Sequence, residues 1–247
     1  MAVKKGHKIY IGTSGWHYDH WKGPFYPNRL AHGAFLQYYA GRFRTVEINN
    51  TFYHMPQEKA LLDWRSTVPE DFIFAVKGSR YITHMKKLKD TGKALNLFLQ
   101  KIDIIGGKLG PILFQLPPRW HVNTERLRLF LGALPRKYRY AFEFRDTSWF
   151  DQEVFDLLTE HEAAFCIYDL GGRQSPKIVT TDLVYIRLHG PDGPYRGQYS
   201  AKQLTLWADV ISTWVSEERS VYCYFDNDES GYAATNALEL LDITERF

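Results

Sequence analysis

Eight short apolar runs, separated in most cases by stretches of helical length, constrain the fold of this chain more than any other feature. The runs cover residues 8–14, 45–50, 72–77, 111–116, 140–145, 163–169, 183–189 and 221–226. They are of strand length and rich in β-branched and aromatic residues, which suit a pleated surface. Helices are expected at 33–42, 57–66, 91–105, 123–134, 149–161, 200–217 and 232–242, with Asn123 and Ser200 as N-caps. The segment 170–182 breaks the pattern: Gly171, Gly172 and Pro176 make it a loop or a very short helix. Alternating strands and helices imply parallel strands joined by crossover helices. Eight such units close into a (β/α)8 barrel, a fold of about 250 residues, here with its sixth helix short or missing. An open doubly wound sheet is the competing α/β architecture. It normally carries a glycine-rich phosphate turn after its first strand, and none follows this one. The expectation is one domain over 1–247 with a core of about 8–242.

Composition narrows the function classes. The chain has 247 residues, 45% of them apolar, enough for one sizeable core. Basic residues number 31 against 28 acidic ones, a balance that gives no general argument for nucleic acid or membrane as partner. Lys86, Lys87 and Lys89 form a local basic cluster. Residues 1–7 lack the apolar stretch of a signal peptide, and no run reaches transmembrane length, so a cytoplasmic location is the default expectation. Cys166 and Cys223 lie on the sixth and eighth runs. A whole strand between them means about 9–10 Å, too far for a disulfide.

Side-chain parity selects the candidate site. In Tyr140–Arg145 the aromatics Tyr140, Phe142 and Phe144 take one face, while Ala141, Glu143 and Arg145 take the other. The same parity groups Glu47 with Asn49, Lys77 with Ile73 and Ala75, Arg187 and His189 with Tyr185, and Asp226 with Tyr222 and Tyr224. Gln115 ends the fourth run and Asp169 the sixth. The aliphatic faces should pack on helices and the polar faces should point inward. Burying so many charges is costly unless they are paired or used. The network is therefore either an ion-pair lattice filling the barrel or a site at the C-terminal strand ends, and the in-phase recurrence favours the site.

Within it, Lys77, Arg145 and Arg187 suit an anionic ligand, a phosphate or carboxylate. Glu47 and Glu143 are the expected acid/base pair, with His189 and Asp226 completing the catalytic set and Asn49 and Gln115 binding substrate. Lys77 has two further readings: an ion partner for Glu47 on the adjacent strand, or a Schiff-base nucleophile. No cofactor is expected. Metal binding has weak support from His17 and His20 and from His54, His84 and His189. Loops leaving the first, third and seventh strands are long (15–32, 78–90 and 190–199), on the face where barrel active sites are built. They carry Trp16, Tyr18, Trp21, Phe25, Tyr26, Tyr81, Tyr195, Arg196 and Tyr199, and Phe52 and Tyr53 follow the second strand. These aromatics either cap the barrel or stack on sugars or bases. Trp16, Tyr53, Tyr195 and Arg196 are taken as substrate-binding.

Several ordered motifs resemble a known family. They are Ile11-Gly-Thr-Ser-Gly-Trp16, Trp21-Lys-Gly-Pro-Phe-Tyr-Pro27, Val46-Glu-Ile-Asn-Asn-Thr-Phe-Tyr53, Phe74-Ala-Val-Lys77, Phe114-Gln-Leu-Pro-Pro118, Phe142-Glu-Phe-Arg145 with Ser148-Trp149, Tyr185-Ile-Arg-Leu-His-Gly190 and Tyr224-Phe-Asp-Asn227. Together, over about residues 8 to 240, they resemble the DUF72, or YecE-like, family. The resemblance implies a TIM-barrel fold and transfers no catalytic role. The leading expectation is an enzyme acting on an anionic small molecule or sugar phosphate by acid/base chemistry. The alternatives are a nucleic-acid-binding protein or phosphodiesterase using the aromatic and basic rim, or a non-catalytic ligand-binding barrel.

Overall fold

A computed structural model describes residues 9–246; the expected N-terminal segment and strand start at Lys8 lie outside the described residues. Eight parallel strands form the wall: β1 (Ile9–Thr13), β2 (Thr45–Ile48), β3 (Ile73–Lys77), β4 (Leu109–Gln115), β5 (Tyr140–Glu143), β6 (Ala163–Leu170), β7 (Leu183–Leu188) and β8 (Ser220–Phe225). Hydrogen-bonded neighbours run β1, β8, β7, β6, β5, β4, β3, β2. Among the described residues, seven α-helices of six residues or more cover the outside: α1 (Phe35–Ala40), α2 (Glu58–Thr67), α3 (Gly92–Ile102), α4 (Thr124–Gly132), α5 (Gln152–Glu160), α6 (Ala201–Ser216) and α7 (Tyr232–Thr244). No helix joins β6 to β7. The chain there makes a two-residue antiparallel strand, Arg173–Gln174, on β6, as the glycines of 170–182 allow.

The β1–β2 seam closes the ring by different means. Gly15 N–H donates to the Glu47 carbonyl at 2.9 Å. Lower down, the Tyr39 hydroxyl from α1 accepts from Thr13 N–H at 2.9 Å and donates to the Thr45 carbonyl at 3.0 Å, standing in for a missing ladder bond. Glycine at position 12 is what permits this approach, because a Cβ there would lie 2.3 Å from the Thr45 carbonyl oxygen.

The two strand faces build two separate cores. Tyr10, Ala75, Leu113, Ala141, Ala164, Cys166, Tyr185, Tyr222 and Tyr224 fill the barrel interior. The alternating residues, among them Val46, Ile48, Phe74, Phe114, Phe142, Phe165, Ile186 and Cys223, pack on the helices. The helices meet them along one stripe. In α3, Leu95, Phe98, Leu99 and Ile102 are buried at the spacing of a single helical face. Two expected caps are in place. Asn123 accepts from Arg126 N–H at 2.8 Å, and Ser200 forms a capping box with Gln203. Both cysteines are buried and free. Among the described residues, no helix is long and apolar enough to cross a membrane.

Parity fails at one strand. Ala164 and Cys166 face inward, so the inward residue at the end of β6 is Tyr168, and Asp169 turns toward the outer wall. There it lies with Gln174, Lys177, Gln203 and Trp207 around a hollow of about 180 Å³. Residues 163–167 are apolar on both faces, so their sequence carries no phase signal.

Candidate functional site

The inward side chains above the interior core converge on Arg187. Its Nε donates to Glu47 Oε2 at 3.0 Å and its Nη1 to Glu143 Oε2 at 2.8 Å. Its Nη2 reaches Glu47 Oε1 at 2.7 Å, Ser14 Oγ at 3.0 Å and Asp226 Oδ2 at 3.0 Å. A guanidinium has five N–H groups, and all of these point at protein acceptors. Arg187 is fully buried and has none left for a ligand. The expectation that it holds substrate is corrected on this ground.

Glu47 is equally committed. Beyond Arg187, its Oε1 accepts from Ser14 Oγ and its Oε2 from Tyr185 OH at 2.6 Å. With four contacts on two oxygens and no exposure, it is an anchor rather than a proton carrier. The expected Glu47–Lys77 ion pair is also absent among the described residues, because Arg187 occupies that carboxylate.

Glu143, on β5, sits between two guanidiniums, paired with Arg145 through Oε1 and with Arg187 through Oε2. Burial pushes its carboxyl up, but Arg145, Arg187 and the neighbouring His189 outweigh that and hold it well below the usual range. It is a fixed anion, not a general acid. His189 faces Arg145 Nη2 at 2.8 Å and Arg187 Nη1 at 3.3 Å through Nε2. Guanidinium groups only donate, so toward them Nε2 accepts; Glu143 Oε1 lies 3.4 Å from the same nitrogen, and Nδ1 lies 3.1 Å from Asp226 Oδ2. Burial opposes ionisation of Asp226, while Arg187 and His189 overcome it and keep the carboxyl low. Asp226 Oδ1 accepts no hydrogen bond among the described residues.

An arc from β2 to β4 differs from this lattice. Lys77 Nζ makes no hydrogen bond or ion pair among the described residues and rests 4.6 Å from the centre of the Phe52 ring. Burial, reinforced by Arg187 and only partly offset by Glu47, Glu143 and Asp226, lowers its pKa to about 8. On either side of it in strand order, Asn49 Oδ1 and Gln115 Oε1 are buried without partners; the Asn49 amide nitrogen donates to Ser14 Oγ. His84, edge-on to Phe52, has its pKa lowered to about 4 by burial and by Lys77, Arg80 and Arg145. Arg145, just past the end of β5 and so next to the arc, lies 5.1 Å from the Tyr168 ring centre.

The loop aromatics divide. Tyr195 stands edge-on over His189, 5.5 Å between ring centres, and is about half exposed at the mouth. Its loop is pinned: Tyr195 N–H donates to the His189 carbonyl at 2.6 Å, and Gly190 N–H to Tyr199 OH at 3.1 Å. Gly190 has φ +109°, and a Cβ would meet the Arg196 carbonyl oxygen at 2.1 Å. Trp16 is not at the site; it is buried against Trp64 and Phe74 on the helix side. Trp21, Phe25 and Tyr26 are likewise core residues, so they offer no stacking surface. Tyr53 is 69% exposed and touches Phe52 edge-on. Arg196 points to solvent near Glu229, 3.7 Å away.

His20 is taken up by Asp228 and His17 packs on Trp16 and Trp64. Among the described residues, no three His, Cys, Asp or Glu side chains gather as a metal site. Ser14, Tyr168 and Tyr185 belong to the site but were not selected from sequence. Ser14 and Tyr185 were legible by parity, in phase with Gly12 and Arg187. Tyr168 was hidden by the ambiguous phase of β6.

Known proteins share the fold of this chain. A DUF72 family protein from Thermotoga maritima MSB8 is 31% identical, superimposes with a TM-score of 0.88 and covers 97% of this chain and 100% of its own. A DUF72 family protein from Enterococcus faecalis V583, at 19% identity and a TM-score of 0.83 over 96% of this chain and 95% of its own, shares the fold. The UPF0759 protein YunF of Bacillus subtilis (strain 168) is 28% identical over 95% of each chain. The UPF0759 protein YecE of Escherichia coli (strain K12) is 30% identical over 58% of this chain and 50% of its own. The model of the DUF72 family, described as a protein of unknown function, matches residues 10–246, and the chain belongs to that family.

Proposed function

We propose that the protein is an enzyme that binds an anionic small molecule, such as a sugar phosphate, at the C-terminal mouth of the barrel and acts on it by acid/base chemistry. The observation that carries this reading is Lys77: an inward, largely buried cation that rests on the Phe52 ring and has no hydrogen bond or ion pair among the described residues, beside a lattice whose buried charges are paired. An unpaired buried charge is costly, and an anion or a reacting group is what relieves it. With a pKa lowered to about 8, the amine exchanges protons near neutral pH, as acid/base catalysis requires. The acid/base roles therefore move from Glu47 and Glu143 to Lys77 and to Asp226 with its His189 partner. Asn49, Gln115 and Tyr195 line the approach, and Arg145 adds positive potential.

Thermal unfolding with a panel of sugar phosphates and small carboxylates tests this reading. A ligand at 100 times its Kd stabilises the native state by about 2.7 kcal/mol. At least one member of the panel should raise the Tm of the native protein and lose that effect in Lys77→Met. Equal responses in the two proteins, or none in either, would overturn the assignment.

A further inference from the structure

The arc around Lys77 contains more than an anion needs. Asn49 Oδ1 and Gln115 Oε1 are acceptors, buried and unpartnered, and an acceptor repels an anion. Each requires a donor, and the simplest donor on a small molecule is a hydroxyl. Between them in strand order, Lys77 Nζ is held on the Phe52 ring face, with no carboxylate oxygen within ion-pair distance among the described residues. An amine without an ion pair among the described residues, on an apolar seat and under the field of Arg187, is built for nucleophilic use.

We infer that Lys77 forms a protonated imine with a hydroxylated aldehyde or ketone whose hydroxyls are held by Asn49 and Gln115. This rests on the reading of the barrel mouth as the site and names its substrate class. The neutral amine uses its lone pair to form a C–N bond to the carbonyl carbon, and the carbonyl oxygen takes up the proton that the attacking nitrogen gives up, leaving a neutral carbinolamine. The resulting hydroxyl then leaves as water with a second proton, and nitrogen and carbon become doubly bonded. The balance is amine plus carbonyl plus one proton giving iminium plus water, with no redox change. Local charge favours the product. Glu47, Glu143 and Asp226 supply three carboxylates, Arg145 and Arg187 two guanidiniums. The cluster is one positive charge short when Lys77 is neutral, and the iminium supplies that charge as the ammonium does, so imine formation from the free amine restores the balance. The lowered Lys77 pKa supplies free amine near neutral pH. Asp226 Oδ1, which accepts no hydrogen bond among the described residues, is the base available to take an α-proton from the iminium.

Reductive trapping tests this. Native protein and Lys77→Arg are incubated at pH 8 with glyceraldehyde 3-phosphate or dihydroxyacetone phosphate and sodium cyanoborohydride, then analysed by intact mass and peptide mapping. The expected result is one adduct on Lys77, formed at least tenfold faster than on surface lysines and slowed tenfold or more by Gln115→Met. Lys77→Arg should show only slow surface labelling. Labelling spread over surface lysines with Lys77 unmodified would overturn the imine. If the same compounds still raise the Tm in a Lys77-dependent way without reductant, the imine alone falls and the anionic site stands. If neither adduct nor shift appears, both fall.

Discussion

Two halves of the same polar ring behave in opposite ways. On the β5, β7 and β8 side, together with Glu47 and Ser14, Arg187 spends every N–H on a protein acceptor and Glu47 uses both oxygens twice. On the β2–β4 side, Asn49, Lys77 and Gln115 present polar atoms that nothing in the described chain satisfies. Charge count alone makes the first half look catalytic, yet the saturation of Arg187 and Glu47 marks them as the frame and leaves Asp226 Oδ1 open on that side among the described residues. In a buried cluster, function is better read from the bonds a group lacks than from the charge it carries, because a satisfied group must give up a protein partner before it can take a ligand.

The largest expected effect breaks the frame. Arg187→Met leaves Glu47, Glu143 and Asp226 buried without their shared cation, and removing one partner of a buried ion cluster costs about 3–5 kcal/mol. Denaturant unfolding should show that loss, or failure to fold; a loss below about 1 kcal/mol would mean the lattice is not structural.

Lys77→Met, on the open arc, should behave differently, and pH separates the two cases. The Lys77 pKa is lowered to about 8 in the folded protein from an ordinary 10.5. Below pH 8 both states carry the proton, and the folded state bears the cost of a buried cation. Between about 8 and 10.5 the unfolded state binds more protons, so stability rises with pH. At about 1.4 kcal/mol per pH unit, the full relief is on the order of 3 kcal/mol. The native protein should gain stability relative to Lys77→Met from pH 7 to pH 10. A constant difference would show that Lys77 is well solvated. The smallest effect is expected at Gln115→Met: removing an unpartnered buried acceptor should be neutral or stabilising by about 1 kcal/mol, whereas a marked loss would place Gln115 in the frame.

Most of the wall was legible because strand periodicity is local. The eight runs, the missing sixth helix and the Asn123 and Ser200 caps all follow from residues within a turn or two of one another. Glu143, Arg187, His189, Asp226 and Lys77 were legible as inward residues for the same reason. Asp169 was misplaced because β6 is apolar on both faces, and Trp16 because a loop has no period from which to read direction.

By itself the sequence determined that eight parallel strands would close and that one end of their interior would be polar, since alternation of side chains is a property of the chain alone. It did not determine which charges pair. That was decided when closure of the ring brought Arg187 of β7 between Glu47 of β2 and Glu143 of β5, contacts 140 and 44 residues apart in the chain. One guanidinium has donors enough for all the carboxylates. Lys77, on β3, was left over, and that remainder is where the chemistry is proposed.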